Sequence, residues 1–183
     1  MRLWPSQLAL CATAVSVAGL ILGACTINQP VMGAVVPSTG NQALARLVSK
    51  NGSITYGTVM FTQRGDKVAV LANVFKLPGG PHSLYIHEAG NCSSPNAASA
   101  GPVWNAKGAT PGARRSGELP NIVVRHEEKA NLEAQVTGLS VATGAANDVI
   151  GHSVVVHGKL DPDPKPEFGV ANDWLACGVI EKF

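Results

Sequence analysis

His82-Ser83-Leu84-Tyr85-Ile86-His87-Glu88-Ala89-Gly90-Asn91-Cys92 opens with a period-two alternation that predicts a β-strand over His82–Glu88. Tyr85 and His87 are two residues apart on that strand, so their side chains face the same way. Pro78-Gly79-Gly80-Pro81 turns the chain into it. The same alternation predicts strands near Ala43–Ser49, Ser53–Thr62, Lys67–Leu77, Ile122–His126, Leu132–Thr137, Ser153–Gly158 and Leu175–Glu181. Asn51-Gly52 and Arg64-Gly65-Asp66 are turn signals between the first three strands. Ser94–Ala106 is too interrupted by Ser, Pro and Gly to be a helix. Eight short strands argue for an all-β Greek-key sandwich or barrel. The stretches Ala89–Pro120 and Lys159–Asp173 break the rhythm, and loops that long are usually functional or remnants of function.

Composition agrees with this. The 183 residues carry 14 Lys+Arg against 12 Asp+Glu, and 45% are apolar, which suits one domain with a proper core and excludes a disordered chain. A formal charge of +2 with no polybasic run argues against nucleic acid as a partner. Twenty Gly and 12 Pro favour short strands joined by turns.

The N-terminal part reads differently. Residues 3 to 45 carry no charge, and Leu8–Ala24 follows a short basic start, which is the pattern of a secretory signal at residues 1–24. A transmembrane anchor is the other reading, but 17 residues lie at the lower edge of spanning length. Leu22-Gly23-Ala24-Cys25 resembles the bacterial lipobox, in which the chain is cut before the Cys and the thiol is lipidated. The mature chain then runs from Cys25 for 183 − 24 = 159 residues, with a charge of 13 − 12 = +1. Acyl chains on Cys25 would hold it to a membrane. Residues 25–42, uncharged and with Pro30 and Pro37, form a flexible tether, and 43–183 form the domain. The expected location is the bacterial cell envelope, facing the periplasm. Thr26 after the Cys resembles outer-membrane sorting in Gram-negative bacteria.

Cys11 leaves with the signal and Cys25 takes lipid, so Cys92 and Cys177 remain. In an exported domain they most simply form one disulfide, the alternative being two separate buried thiols.

Five separated motifs carry a family resemblance. The segment His82–Cys92 resembles the His-Gly-Phe-His-Val-His-Glu-x-Gly-x-Cys segment of the Cu/Zn superoxide dismutases. Ala100-Gly101-Pro102-Val103-Trp104-Asn105 resembles that family's Ala-Gly-Pro-His-Phe-Asn. Arg115-Ser116-Gly117-Glu118-Leu119-Pro120-Asn121 resembles His-x-Gly-Asp-Leu-Pro-Asn without its His. Gly151–His157 resembles Gly-Arg-x-x-Val-Val-His, and Leu175-Ala176-Cys177-Gly178-Val179-Ile180 matches the C-terminal Leu-Ala-Cys-Gly-Val-Ile. The similarity is colinear from about Ala43 to Ile180. It implies an eight-stranded Greek-key β-barrel with Cys92 tied to Cys177.

The same resemblance implies a degenerate metal site. The first copper His falls on Tyr85, the second on His87, the bridging His on Val103 and the last copper His on His157. No His occurs between His87 and His126, so both remaining zinc His are absent; one aligns with Arg115, and the zinc Asp falls on Glu118. The family's anion-attracting Arg falls on Trp174. Two of six His positions survive, so zinc is not expected and no catalytic residue is assigned. Copper is the cofactor left open: His87, His157 and Tyr85 are the candidate ligands, although the phenol's reference pKa near 10 opposes phenolate binding. The plainer reading is that His87 and His157 hydrogen-bond each other or backbone carbonyls. His82 matches a structural His, and His126 and His152 have no partner by spacing. The expected function is a lipid-anchored envelope protein of the family without efficient dismutase activity. One alternative is a copper-binding protein or weak copper-only dismutase. Another is a binding module that uses a cleft among Tyr85, Val103, Trp104 and Trp174.

Overall fold

The computed structural model describes residues 41–106, 115–160 and 173–183. Signal, lipobox and tether up to residue 40, and the Pro-rich Asp161–Pro166, lie outside the described residues.

The strands are β1 (Gln42–Ser49), β2 (Tyr56–Arg64), β3 (Lys67–Phe75), β4 (Gly80–His82), β5 (Leu84–His87), β6 (Ile122–Val124), β7 (Lys129–Thr137), β8 (Ser153–His157) and β9 (Trp174–Lys182). One 3-10 turn, Ala98–Ala100, is the helical piece among the described residues. Seven strands form one curled antiparallel sheet in the order β5-β8-β9-β1-β2-β3-β7, and β4 pairs with β6. Because β4 runs on into β5 at one edge, and β6 turns into β7 at the other, this small ribbon joins the two edges. The result is the all-β barrel architecture expected from the motifs. The connections β3 to β4 and β7 to β8 cross between edges, as a Greek key requires.

The expected strand His82–Glu88 is in fact two. At Ser83 the ladder breaks: its N–H bonds the Lys159 carbonyl (3.3 Å) and its carbonyl accepts from the His157 N–H (3.0 Å). The described residues therefore hold nine strands where the alternation predicts eight, one of the eight being split in two within the same barrel architecture. β7 begins at Lys129, three residues before the expected start, because the alternation reaches back through buried Ala130. Ser53–Thr55 belong to the connection after β1, where Asn51 (φ 53°) and Gly52 (φ 70°) take successive left-handed conformations that Asn and Gly tolerate best. Gly65 (φ 59°) turns β2 into β3 through a two-residue loop, with Arg64 facing Lys67.

β3 alternates strictly, with Val68, Val70, Ala72 and Val74 pointing into the core beside Phe61, Ile86 and Ile180. β5 and β8 break that rule, since every residue of both is buried. Their second face is covered by the long connection that follows β5. Ala97 and Ala100 from that connection pack on Val155, Cys177 and Trp174, forming a second small cluster outside the main core. The Cys92–Cys177 disulfide, with Cα atoms 5.7 Å apart, ties this connection to β9.

Candidate metal centre

The connection does more than cover β5. Trp104 donates its N–H to the Ile86 carbonyl (2.9 Å), Gly117 accepts from the Ile86 N–H (2.8 Å), and Leu119 donates to the Leu84 carbonyl (3.1 Å). Bridges Tyr85↔Glu118 and His87↔Val103 continue the pattern. Two extended pieces of the connection thus satisfy the edge of β5 that would otherwise be open. They also carry Val103, Arg115 and Glu118 to the face where Tyr85 and His87 project.

His157 on β8 meets this group from the neighbouring strand. The Nε2 atoms of His87 and His157 lie 3.3 Å apart. His87 Nδ1 sits 2.7 Å from the Gly101 carbonyl, which can only accept, so Nδ1 carries the hydrogen. In the neutral ring, His87 Nε2 then offers a lone pair, and His157 Nε2–H donates to it. Around the pair, Tyr85 packs edge-on to His157 (centroids 4.8 Å, 77°) and Trp174 edge-on to His87 (4.6 Å, 69°). The Trp174 ring also lies 5.3 Å from His157. The Arg115 guanidinium stands 5.9 Å from the Tyr85 ring centroid and forms an ion pair with Glu118 (Nε–Oε1 2.7 Å).

This setting suppresses protonation. Burial pushes His87 down to about 4, against a raising contribution from its Gly101 hydrogen bond and with a smaller lowering from Arg115. Burial, then the neighbouring His87, then Arg115 bring His157 to about 3. Both rings are neutral at pH 7, and each keeps one nitrogen lone pair, that of His87 on Nε2 facing His157.

The three candidate ligands, Tyr85, His87 and His157, are therefore brought together. The zinc set of the family does not fit these residues. Val103 is aliphatic and buried at the bridging position, and the Glu118 carboxylate is bonded to Arg115. Among the described residues no group of three or more His, Cys, Asp or Glu could hold a metal ion. Copper fits in part. Two imidazole nitrogens bound to one first-row ion at about 2.0–2.1 Å lie roughly 2.9–3.4 Å apart for angles of about 90–110°. The His87–His157 separation of 3.3 Å falls in that range. Two nitrogens and a phenol are a poor set beside the four His of the family, and Trp174 brings no donor atom with a lone pair.

The other histidines are structural. His82 is buried between the carbonyls of His157 (3.0 Å) and Pro78 (2.8 Å). His152, which spacing left without a partner, stacks on Trp104 (4.1 Å, 29°) and bonds the Glu88 carbonyl (2.8 Å). His126 is exposed. Gly101 was missed by sequence reasoning, since a carbonyl's role in orienting an imidazole leaves no trace in residue type. The Arg115–Glu118 pair had a signal, opposite charges three residues apart.

The profile of the copper/zinc superoxide dismutase (SODC) family matches residues 55–180. The chain is 33% identical over 135 residues to the superoxide dismutase [Cu-Zn] of Caulobacter vibrioides, covering 68% of this chain and 78% of that protein. It is 31% identical over 152 residues to the extracellular superoxide dismutase [Cu-Zn] of Brugia pahangi, covering 75% and 74%. The crystal structure of the clock protein EA4 superposes with a TM-score of 0.64 at 27% identity, covering 80% of this chain and 97% of that one.

Proposed function

Because the chain belongs to the copper/zinc superoxide dismutase family, we propose that it is a lipid-anchored envelope member of it without efficient dismutase activity. The observation that carries this reading is the composition of the His87–His157 neighbourhood. Dismutation needs a copper ion that alternates between two oxidation states, held by several imidazoles with one position open to superoxide. Here the bridging place is the buried Val103, Tyr85 stands in the first ligand's place, and Trp174 packs where the family has its anion-attracting Arg. The cation nearest the rings, Arg115, is paired with Glu118, so it offers a superoxide anion a largely compensated charge. Lipid anchoring rests on Leu22-Gly23-Ala24-Cys25 and the uncharged, signal-like stretch before it.

A second reading, a copper-binding protein or weak copper-only dismutase, is favoured by the 3.3 Å apposition of the Nε2 atoms of two neutral imidazoles, with His157 shifting its hydrogen to Nδ1 when an ion binds. In it His87 and His157 hold the ion, Gly101 keeps His87 in the tautomer that faces it, and Tyr85 completes the set. The bound ion would supply one-electron chemistry. The binding-module reading has less support: Trp104 packs into the main core and onto His152, whereas Trp174 belongs to the second cluster, so the two indoles do not line one surface.

One experiment separates the readings. The protein is loaded with copper, stripped of loose metal, and assayed for superoxide removal and visible absorption. The expected result is removal no faster than the free-copper background. Removal well above it that disappears in His157→Ala would overturn the proposal. A tyrosinate-to-copper band that is lost in Tyr85→Phe, without dismutation, would establish the copper-binding alternative.

A further inference from the structure

The turn from β6 into β7 opens like a V. The two strands share one bridge, His126↔Lys129, next to the turn, and then separate. Between the end of β7, from Gln135 to Gly138, and a wall formed by Arg115, Ser116, Glu118 and Pro120 lies a groove of about 410 Å³. The wall opens with a turn, in which the Glu118 N–H donates to the Arg115 carbonyl (3.1 Å), and then runs along β5 through Glu118 and Leu119. Among the described residues no ladder joins β7 to this wall.

The backbone groups of β7 that no described strand pairs with can be identified. Lys129 donates its N–H away from β3, to the His126 carbonyl (3.4 Å). Strand geometry repeats every second residue, so the N–H and C=O groups of Glu133, Gln135 and Thr137 also point away from β3. The two-residue β2–β3 loop gives the same parity, because its closing pair Arg64↔Lys67 bonds inward and leaves Val68, not Lys67, to bond Val136. Glu133, Gln135 and Thr137 are all exposed.

We propose that this groove receives an extended segment of a partner polypeptide, which adds to β7 as an extra strand. A row of outward donors and acceptors spaced at strand intervals matches a peptide backbone. Gln135 to Gly138 spans about 10 Å, room for a segment of roughly three to four residues. The concave shape selects a single strand: the Arg115–Pro120 wall would obstruct the edge of a second barrel. Gln135 and Thr137 on one side, and the Arg115–Glu118 pair on the other, suit polar side chains at alternate positions of the guest. This inference stands apart from the metal question, since the groove uses neither His87 nor His157.

The test is amide hydrogen exchange of the full chain with an acetylated, amidated Thr-Val-Thr-Val-Thr-Val peptide at millimolar concentration. In the free protein the amides of Gln135 and Thr137 should exchange fast, and the peptide should slow them by about tenfold or more. Gln135→Pro removes a donor that β3 does not use, a change edge strands tolerate, and should abolish the protection at Thr137. Thr137→Pro, read at Gln135, serves if the first variant fails to fold. Slow exchange in the free protein would mean the edge is already paired and would overturn the proposal. So would the absence of peptide protection, or protection that persists in the proline variant.

Discussion

At the scale of single residues, the His87–His157 pair shows how burial sets chemistry. Two imidazoles facing each other in an apolar setting cannot both carry charge, and desolvation makes even one costly. His87 at about 4 and His157 at about 3 remain neutral when folded, while an unfolded histidine takes a proton near 6.5. Below that value the unfolded state binds more protons, so stability falls as pH falls. The metal-free protein should hold full stability from these groups above pH 6.5 and lose it between 6.5 and the folded values near 4 and 3. The slope should approach about 1.4 kcal/mol per pH unit for each ring. Urea midpoints measured from pH 7 to 4 check this, and in His157→Gln the slope should be roughly halved. An unchanged slope would show that the rings are protonated in the fold.

At the scale of elements, β5 depends on a loop. It is a four-residue strand at the end of the main sheet, too short to hold its edge alone. Gly117 lets the covering segment approach: a Cβ there would collide with the carbonyl oxygens of Ile86 and Trp104. Gly117→Ala should therefore push the segment off β5 at a cost of about 1–3 kcal/mol. Because the same segment presents Arg115 and Glu118, the variant should also loosen the packing over Tyr85. Thermal unfolding, together with hydrogen exchange at Ile86, reads both effects. Full stability with unchanged protection at Ile86 would show that the loop is not what completes this strand.

At the scale of the whole molecule, one covalent link spans 85 residues and joins the covering loop to β9. The chain-entropy model assigns a loop of that length about 4–5 kcal/mol, and removing such a bond typically costs about 2–5 kcal/mol. The family's zinc set, which would brace the same loop, does not fit here, so the disulfide and the Ala97, Ala100, Val155 and Trp174 cluster must hold it. Cys92→Ser with Cys177→Ser should lower the unfolding free energy by that amount, and the indole emission of Trp174 should shift as its cover loosens. A double variant with unchanged stability and emission would locate the bracing elsewhere.

Strand content, the β1–β2 and β2–β3 turns and the cysteine pair were legible in the residues because each rests on local rules: period-two burial, left-handed turn positions, and two cysteines lying outside the uncharged N-terminal stretch. The replacements that the resemblance implies at Val103, Arg115 and Trp174 were equally legible, since an aliphatic chain or a guanidinium cannot serve in place of an imidazole, nor an indole in place of a cation. Tertiary structure alone decided the break at Ser83, where bonds to Lys159 and His157 interrupt a run that looks continuous. It also decided that Glu118 is spent on Arg115, that the Gly101 carbonyl selects the His87 tautomer, and that a groove lies between the end of β7 and the Arg115–Pro120 segment. Side-chain identity and spacing determine which groups a chain possesses. Which of those groups remain available depends on partners brought from distant positions, and that is settled only when the strands close around them.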